Sequence, residues 1–233
     1  MVNINEYLDK HYIHRSNWLR ASVLGANDGI LSVSSIAIGV AAASTTRESI
    51  ILATVAGMVA GALSMAAGEY VSVSSQTDTE KADIEREKQE LRETPKEELQ
   101  VLTVLFERRG LTRQTALQVA NELTEKDALA AHMREELGIT ATSQANPVQA
   151  ALASGASFTA GAILPLLVTV FVPVHLLKYA LYGFSILFLI ILGMTAAKAG
   201  GSGVRKAIVR ITFWGTLAMG LSALVGYLFG VNL

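Results

Sequence analysis

One carboxylate in this chain sits where a carboxylate is costly. Asp28, in LGANDGILSV, is the only full charge deep within an apolar stretch long enough to cross a bilayer, and a charge there is destabilising unless it faces a bundle interior or a water-filled path. Its position reads as functional, a station for a cation. Asp28 lies about eight residues, roughly 12 Å at the helical rise, past the start of its stretch. In the next stretch Met65 lies at a similar depth, and Glu69 one turn nearer the end shares its face. Two antiparallel helices would therefore present a carboxylate and a thioether at one level, with Glu69 and Asp28 forming a carboxylate chain from the inner surface. Oxygen with soft sulfur nearby favours a transition metal over Mg2+ or Ca2+. Methionine is equally common as packing in a membrane helix, so spacing alone leaves Met65 open.

A second group lies in a polar segment. Asp83, Glu87 and Glu90 are spaced by four and three, which puts three carboxylates on one helix face. Further on, His132, Met133 and Glu136 share a narrow arc. These types in this pattern suit a divalent metal. The same spacing also describes a solvated face braced by ion pairs, since Lys81, Arg86, Lys88 and Arg92 are interleaved, and spacing does not separate the two.

Five apolar segments of about 20 residues or more carry the first group, at roughly 21–44, 49–74, 149–171, 176–197 and 207–231. Hydrophobic residues make up 51% of the 233 and charged residues 17%, a composition foreign to most soluble domains. Fifteen of the 20 acidic residues fall between Asp78 and Glu136, so the chain divides into an N-terminal part, 1–75, with two spans, an aqueous insert, 76–146, and a C-terminal part, 147–233, with three spans. Small residues in GVAAAS and GMVAGALSMAAG predict that spans one and two pack inside the bundle. LLKYALYGFSILFLIILGMTAA predicts a lipid-facing span four. Lys10, Arg15 and Arg20 before span one and Lys198, Arg205, Lys206 and Arg210 around GGSG, against Arg47 and Lys178 on the other side, place the N-terminus and the insert in the cytoplasm. The N-terminal segment has no apolar run of secretory-signal length, and with no targeting peptide a bacterial inner membrane is expected.

The insert reads as all-helical. Span two is expected to continue as helix to about Glu93. Thr94, Pro95 and Glu97 form a capping-box pattern opening a second helix, which ends at Gly110. A third helix is expected over 112–125, and a fourth, DALAAHMREELG, closes at Gly138.

Several classes of function are excluded or disfavoured. A net charge of -1 gives no basic field for nucleic acid. Without cysteine there are no disulfides, thiolate sites or cysteine nucleophiles. Intramembrane aspartyl proteolysis needs a second deep aspartate, and a serine mechanism needs a base nearer Ser154 or Ser157 than His175. No phosphate-binding glycine loop is present, so ATP is not the energy source. No permanently bound cofactor is expected.

The segments LGANDGILSVSSIAIGVAAAS, GALSMAAGEYVSVSSQTDTEKADIEREKQEL and NPVQAALASGASFTAGAILPLL together resemble the vacuolar iron transporter family. The resemblance covers nearly the whole chain. It implies a homodimer of five-span subunits, all-α, that exports cytoplasmic Fe2+ and related ions (Mn2+, Co2+, Zn2+) in exchange for protons. It makes Asp28 and Met65 path ligands and the insert a metal-binding domain with Glu87, Glu90, Glu98, His132, Met133 and Glu136 at ligand positions. Val101 departs from the pattern where a glutamate is usual, leaving a ligand missing or supplied by Glu97. His132 stands where methionine is frequent, and Asn17 and Gly57 where some relatives carry glutamate. A different class of function is a membrane-anchored metal sensor or scaffold through which nothing crosses.

Overall fold

The structure is a computed structural model that describes residues 16–43, 46–139 and 146–230, with side chains from residue 21 onward. Lys10 and Arg15 lie outside the described residues, as do the side chains of Asn17 and Arg20. The described residues form seven helices and no strands: α1 (Ser16–Ala43), α2 (Arg47–Glu93), α3 (Pro95–Arg108), α4 (Arg113–Glu135), α5 (Pro147–Phe171), α6 (Val174–Ala199) and α7 (Val204–Gly230). Five of them, α1, α2, α5, α6 and α7, are long and apolar enough to cross a membrane.

The helices form two compact bodies, divided at Tyr70/Val71 and Pro147/Val148. In the first, each of five helices sends apolar side chains into one core: Ala37 and Ile38 from α1, Ile50 from α2, Val168 from α5, Leu177 and Leu181 from α6, and Met219 from α7. Glycines let the backbones close on one another. A Cβ on Gly29 would lie 2.1 Å from the Phe158 carbonyl oxygen, and one on Gly161 2.2 Å from that of Ala26, so α1 and α5 cross at backbone contact. The Arg47 guanidinium donates to the carbonyl oxygens of Val170 (2.5 Å) and Val172 (2.8 Å). These are end-of-helix carbonyls that α5 cannot satisfy itself, so the one arginine on the side poor in basic residues has a structural partner there.

The spans differ in how far a single chain buries them. Span one is the most buried of the five, at 39%, but span two, expected inside, is 11% buried within this chain. Span four, expected to face lipid, is 28% buried, more than span five at 11%. Small residues on α2 permit close approach without requiring it, and within one chain much of its length has no partner. α6 instead contributes Leu177, Leu181 and Leu189 to the interior, each fully buried.

The second body spans Val71–Pro147. Its core is Leu102 and Phe106 of α3 against Ala116, Ala120 and Ala131 of α4. As expected, α2 continues to Glu93, and Gly110 ends α3 with φ +96. The third and fourth expected helices are the two halves of α4, separated at Asp127 (φ -169, ψ 93), whose Oδ1 accepts from the Ala130 N–H at 2.9 Å and so caps the second half. The capping box at Thr94 does not form. Its hydroxyl donates to the Glu90 carbonyl at 3.1 Å instead, because α2 runs up to Glu93 and leaves that carbonyl within reach.

Candidate metal centre

Three helix segments of the second body bring one carboxylate or imidazole after another to the same point. Glu87 comes from α2, Glu98 from the first turn of α3, and His132 and Glu136 from the end of α4, and one ligand atom from each lies within 4.8 Å of all the others. His132 is fully buried, Glu87 is 2% exposed, Glu98 is nearly buried, and Glu136 lies at the rim. Alanines make this burial possible, since Ala131 beside His132 and Ala116 and Ala120 opposite let α4 lie close on α3.

The hydrogen bonding within the group is incomplete. His132 Nδ1 is 3.0 Å from Glu87 Oε1, 3.0 Å from Glu136 Oε2 and 3.8 Å from Glu98 Oε2. A neutral imidazole offers one N–H, which cannot serve two carboxylates. The directional bond goes to Glu136, and Glu87 Oε1 and His132 Nε2 are buried without a hydrogen-bond partner. Burial holds the Glu87 and Glu98 carboxyls above the usual carboxylate range; the His132 ring opposes this, and the charges of Glu136 and Glu90 add to it, with Glu98 acting on Glu87 and Glu97 on Glu98. Three carboxylates crowded on one imidazole repel one another, and a divalent cation at their centre reverses that sign. Carboxylate oxygen with imidazole nitrogen suits Fe2+, Mn2+, Co2+ or Zn2+.

Not every expected ligand joins them. Glu90 faces Arg86, 3.2 Å away, on the exposed side of α2; Met133, next to His132 in the chain, is half-buried. Glu97 and Val101 are exposed on α3, so Glu97 does not take the place of the missing glutamate. Glu90→Ala is therefore expected to change metal affinity less than threefold, a surface-charge effect, as titration of Mn2+ into the purified protein would show. Residue spacing alone did not single out Glu98, whose neighbours in space are on other helices. Nor did it find Glu135, 8% exposed, paired with Arg109 across the ends of α3 and α4 and with Arg134 at 2.7 Å. The Arg109 pair ties the helix end that carries His132 and Glu136 to the end of α3.

In the first body, Asp28 is half-buried on α1 and accepts a hydrogen bond from Ser32 one turn on. Met65 is half-buried on α2 and packs against the cluster of Val33, Phe158 and Ala162. Glu69, one turn from Met65, is also half-buried. A Cβ on Gly57 would lie 2.6 Å from Ile36 Cδ1, so a glutamate at that position would have to displace Ile36.

Together these features define a multi-pass helical membrane protein with a carboxylate–imidazole cluster and a carboxylate within a spanning helix. The chain belongs to the VIT family, whose model matches residues 19–227. It is 44% identical to a vacuolar iron transporter of Acanthamoeba castellanii over 220 residues, covering 94% of this chain and 81% of that protein. It is 39% identical to vacuolar iron transporter homolog 1 of Oryza sativa subsp. japonica, covering 95% and 78%. With vacuolar iron transporter homolog 2.1 of Arabidopsis thaliana the identity is 34%, over 91% of this chain and 81% of the relative.

Proposed function

We propose that this protein transports divalent metal ions, Fe2+ foremost, out of the cytoplasm in exchange for protons. The observation that carries the reading is Asp28: a carboxylate in the most buried spanning helix, held by Ser32, in a chain whose relatives are named iron transporters. Asp28 can take either a cation or a proton in a low-dielectric site, which is the exchange an antiporter needs. Met65 supplies a soft ligand and Glu69 a carboxylate toward the inner surface. Glu87, Glu98, His132 and Glu136 bind the same ions outside the bilayer, where they concentrate or sense them. The distribution of Lys and Arg supports a cytoplasmic side for this module. The small-residue length of α2 left open within one chain fits a second copy, hence a homodimer. The relatives' names favour a vacuolar membrane, and a bacterial inner membrane stands beside it as the expectation from sequence.

The test is Fe2+ and Mn2+ uptake into proteoliposomes with and without a pH gradient. Metal-dependent proton movement is expected; uptake indifferent to the gradient would remove the exchange, and no uptake at all would favour a membrane-anchored metal sensor. Met65→Ala should lower Fe2+ flux about tenfold, the effect of ~1.4 kcal/mol on a barrier, while sparing Mn2+ more, because the lost ligand is the soft one. Equal losses for both ions would leave Met65 a packing residue.

A further inference from the structure

Hydroxyls in spanning helices ordinarily bond back to the carbonyl four residues earlier, and several here do so: Thr54 to Ile50 at 2.6 Å, Thr159 to Gly155 at 2.8 Å, Thr169 to Pro165 at 2.9 Å and Thr212 to Ile208 at 2.8 Å. Two serines of α1 are different. The Ser32 hydroxyl donates a hydrogen bond to Asp28 Oδ1. The Ser35 Oγ is shielded from solvent and has no hydrogen-bond partner.

Asp28, Ser32 and Ser35 stand at i, i+4 and i+7, so they form one strip on α1, rising about 10 Å along the axis. The strip leads on to Gly39, four residues past Ser35, where a Cβ would lie 3.2 Å from the Ser222 carbonyl oxygen of α7. Ser34 is on another face, where its hydroxyl meets that of Ser185 on α6 at 2.6 Å, a satisfied and buried pair. A buried hydroxyl without a partner is destabilising by about 1–3 kcal/mol. That cost is offset if a polar ligand visits the site.

We infer that the Ser32 and Ser35 hydroxyls are successive oxygen stations for the divalent cation after Asp28, guiding it along α1 toward the far end of the helix. The inference rests on the reading of Asp28 as a path residue. Its chemistry is that of a conduction path: a dehydrated cation leaving a carboxylate needs oxygen ligands at each step, and neutral hydroxyls hold it weakly enough to let it go. Ser32 is also a positioning residue, since its proton fixes the Asp28 carboxylate while no cation is bound.

The experiment measures initial Mn2+ uptake, and proton movement in parallel, in proteoliposomes of the full-length protein. Ser35→Ala should cut maximal flux about tenfold, the effect on a barrier of losing one ligand of hydrogen-bond strength. KM should stay within about twofold, because entry through Asp28 is intact. Ser35→Thr, which keeps the hydroxyl, should restore flux, and this separates loss of a ligand from loss of fold. Ser34→Ala with Ser185→Ala should match the parent. If Ser35→Ala transports like the parent while Asp28→Ala is inactive, the stations are wrong and the path reading survives. If Asp28→Ala itself transports, both fall. Loss of proton movement with Mn2+ flux intact in Ser35→Ala would overturn the cation assignment, the strip then carrying protons alone.

Discussion

Asp28→Ala is expected to reduce metal flux at least about 100-fold, equivalent to ~2.7 kcal/mol on the barrier, in a protein that still folds and inserts. The alanine removes the carboxylate deep within α1 that can replace a cation's water there. Asp28 makes its described side-chain hydrogen bond to Ser32 of the same helix, so the loss falls on the path and leaves the contacts between helices in place. Those contacts are made by Gly25, Gly29 and Val33, whose neighbours on α5 are Ser157, Phe158 and Ala162. Reconstituted protein of unchanged elution volume and melting temperature, assayed for Fe2+ uptake, provides the check. Parental flux would remove Asp28 from the path.

The second large effect concerns Glu87, where affinity and stability should move in opposite directions. Glu87→Gln keeps the shape but removes a buried charge 3.0 Å from the His132 ring. Metal affinity should fall about 10- to 100-fold, the worth of a charge-assisted contact at ~1.5–3 kcal/mol. The metal-free protein at neutral pH should become more stable, because burial and neighbouring carboxylates hold the Glu87 carboxyl above its ordinary value of 4.5. A carboxyl raised in the folded state stabilises the fold when protonated. That contribution is complete below about 4.5 and is lost as pH rises through the raised value. The metal-free parent should therefore lose melting temperature as pH climbs from 4.5 toward neutrality, and Glu87→Gln should lose less. Metal acts with the opposite sign, since it displaces the protons on Glu87 and Glu98; binding should tighten with pH and release protons. Calorimetric Mn2+ titrations in two buffers of different ionisation heat, beside melting curves at several pH values, read both effects. A Glu87→Gln variant that binds metal like the parent would leave these residues a buried polar packing group and not a metal site.

The seven helices were largely legible along the chain because their determinants are local. Runs of apolar residues of bilayer length, Gly110 with φ +96 and Gly138 with φ +67 each act through the residues around them. Even the interruption of α4 has its cause at Asp127, whose short carboxyl caps the following turn. Where local signals competed, the reading failed: Thr94 had both the N-terminus of α3 and the Glu90 carbonyl within reach, and its hydroxyl joined its own backbone N–H on the carbonyl.

Asp28 too was visible from sequence, because a charge in an apolar run is conspicuous whatever surrounds it. The four-residue cluster was only half visible. The i, i+4 spacing of His132 and Glu136 put those two side by side, but Glu87, Glu90 and Asp83 share a face equally well, and only the packing of α3 and α4 decided that Glu87 turns inward while Glu90 turns to Arg86. Glu98 had no periodic partner and needed the family likeness to single it out. Ser35 looked like any other small residue of a membrane helix until its neighbours were in place. The sequence by itself determined the elements, since hydropathy, capping and backbone freedom act over a turn or two of chain. Only the tertiary structure decided which side chains meet, because burial, crowding and an unanswered hydrogen bond are properties of neighbours brought together from distant parts of the chain.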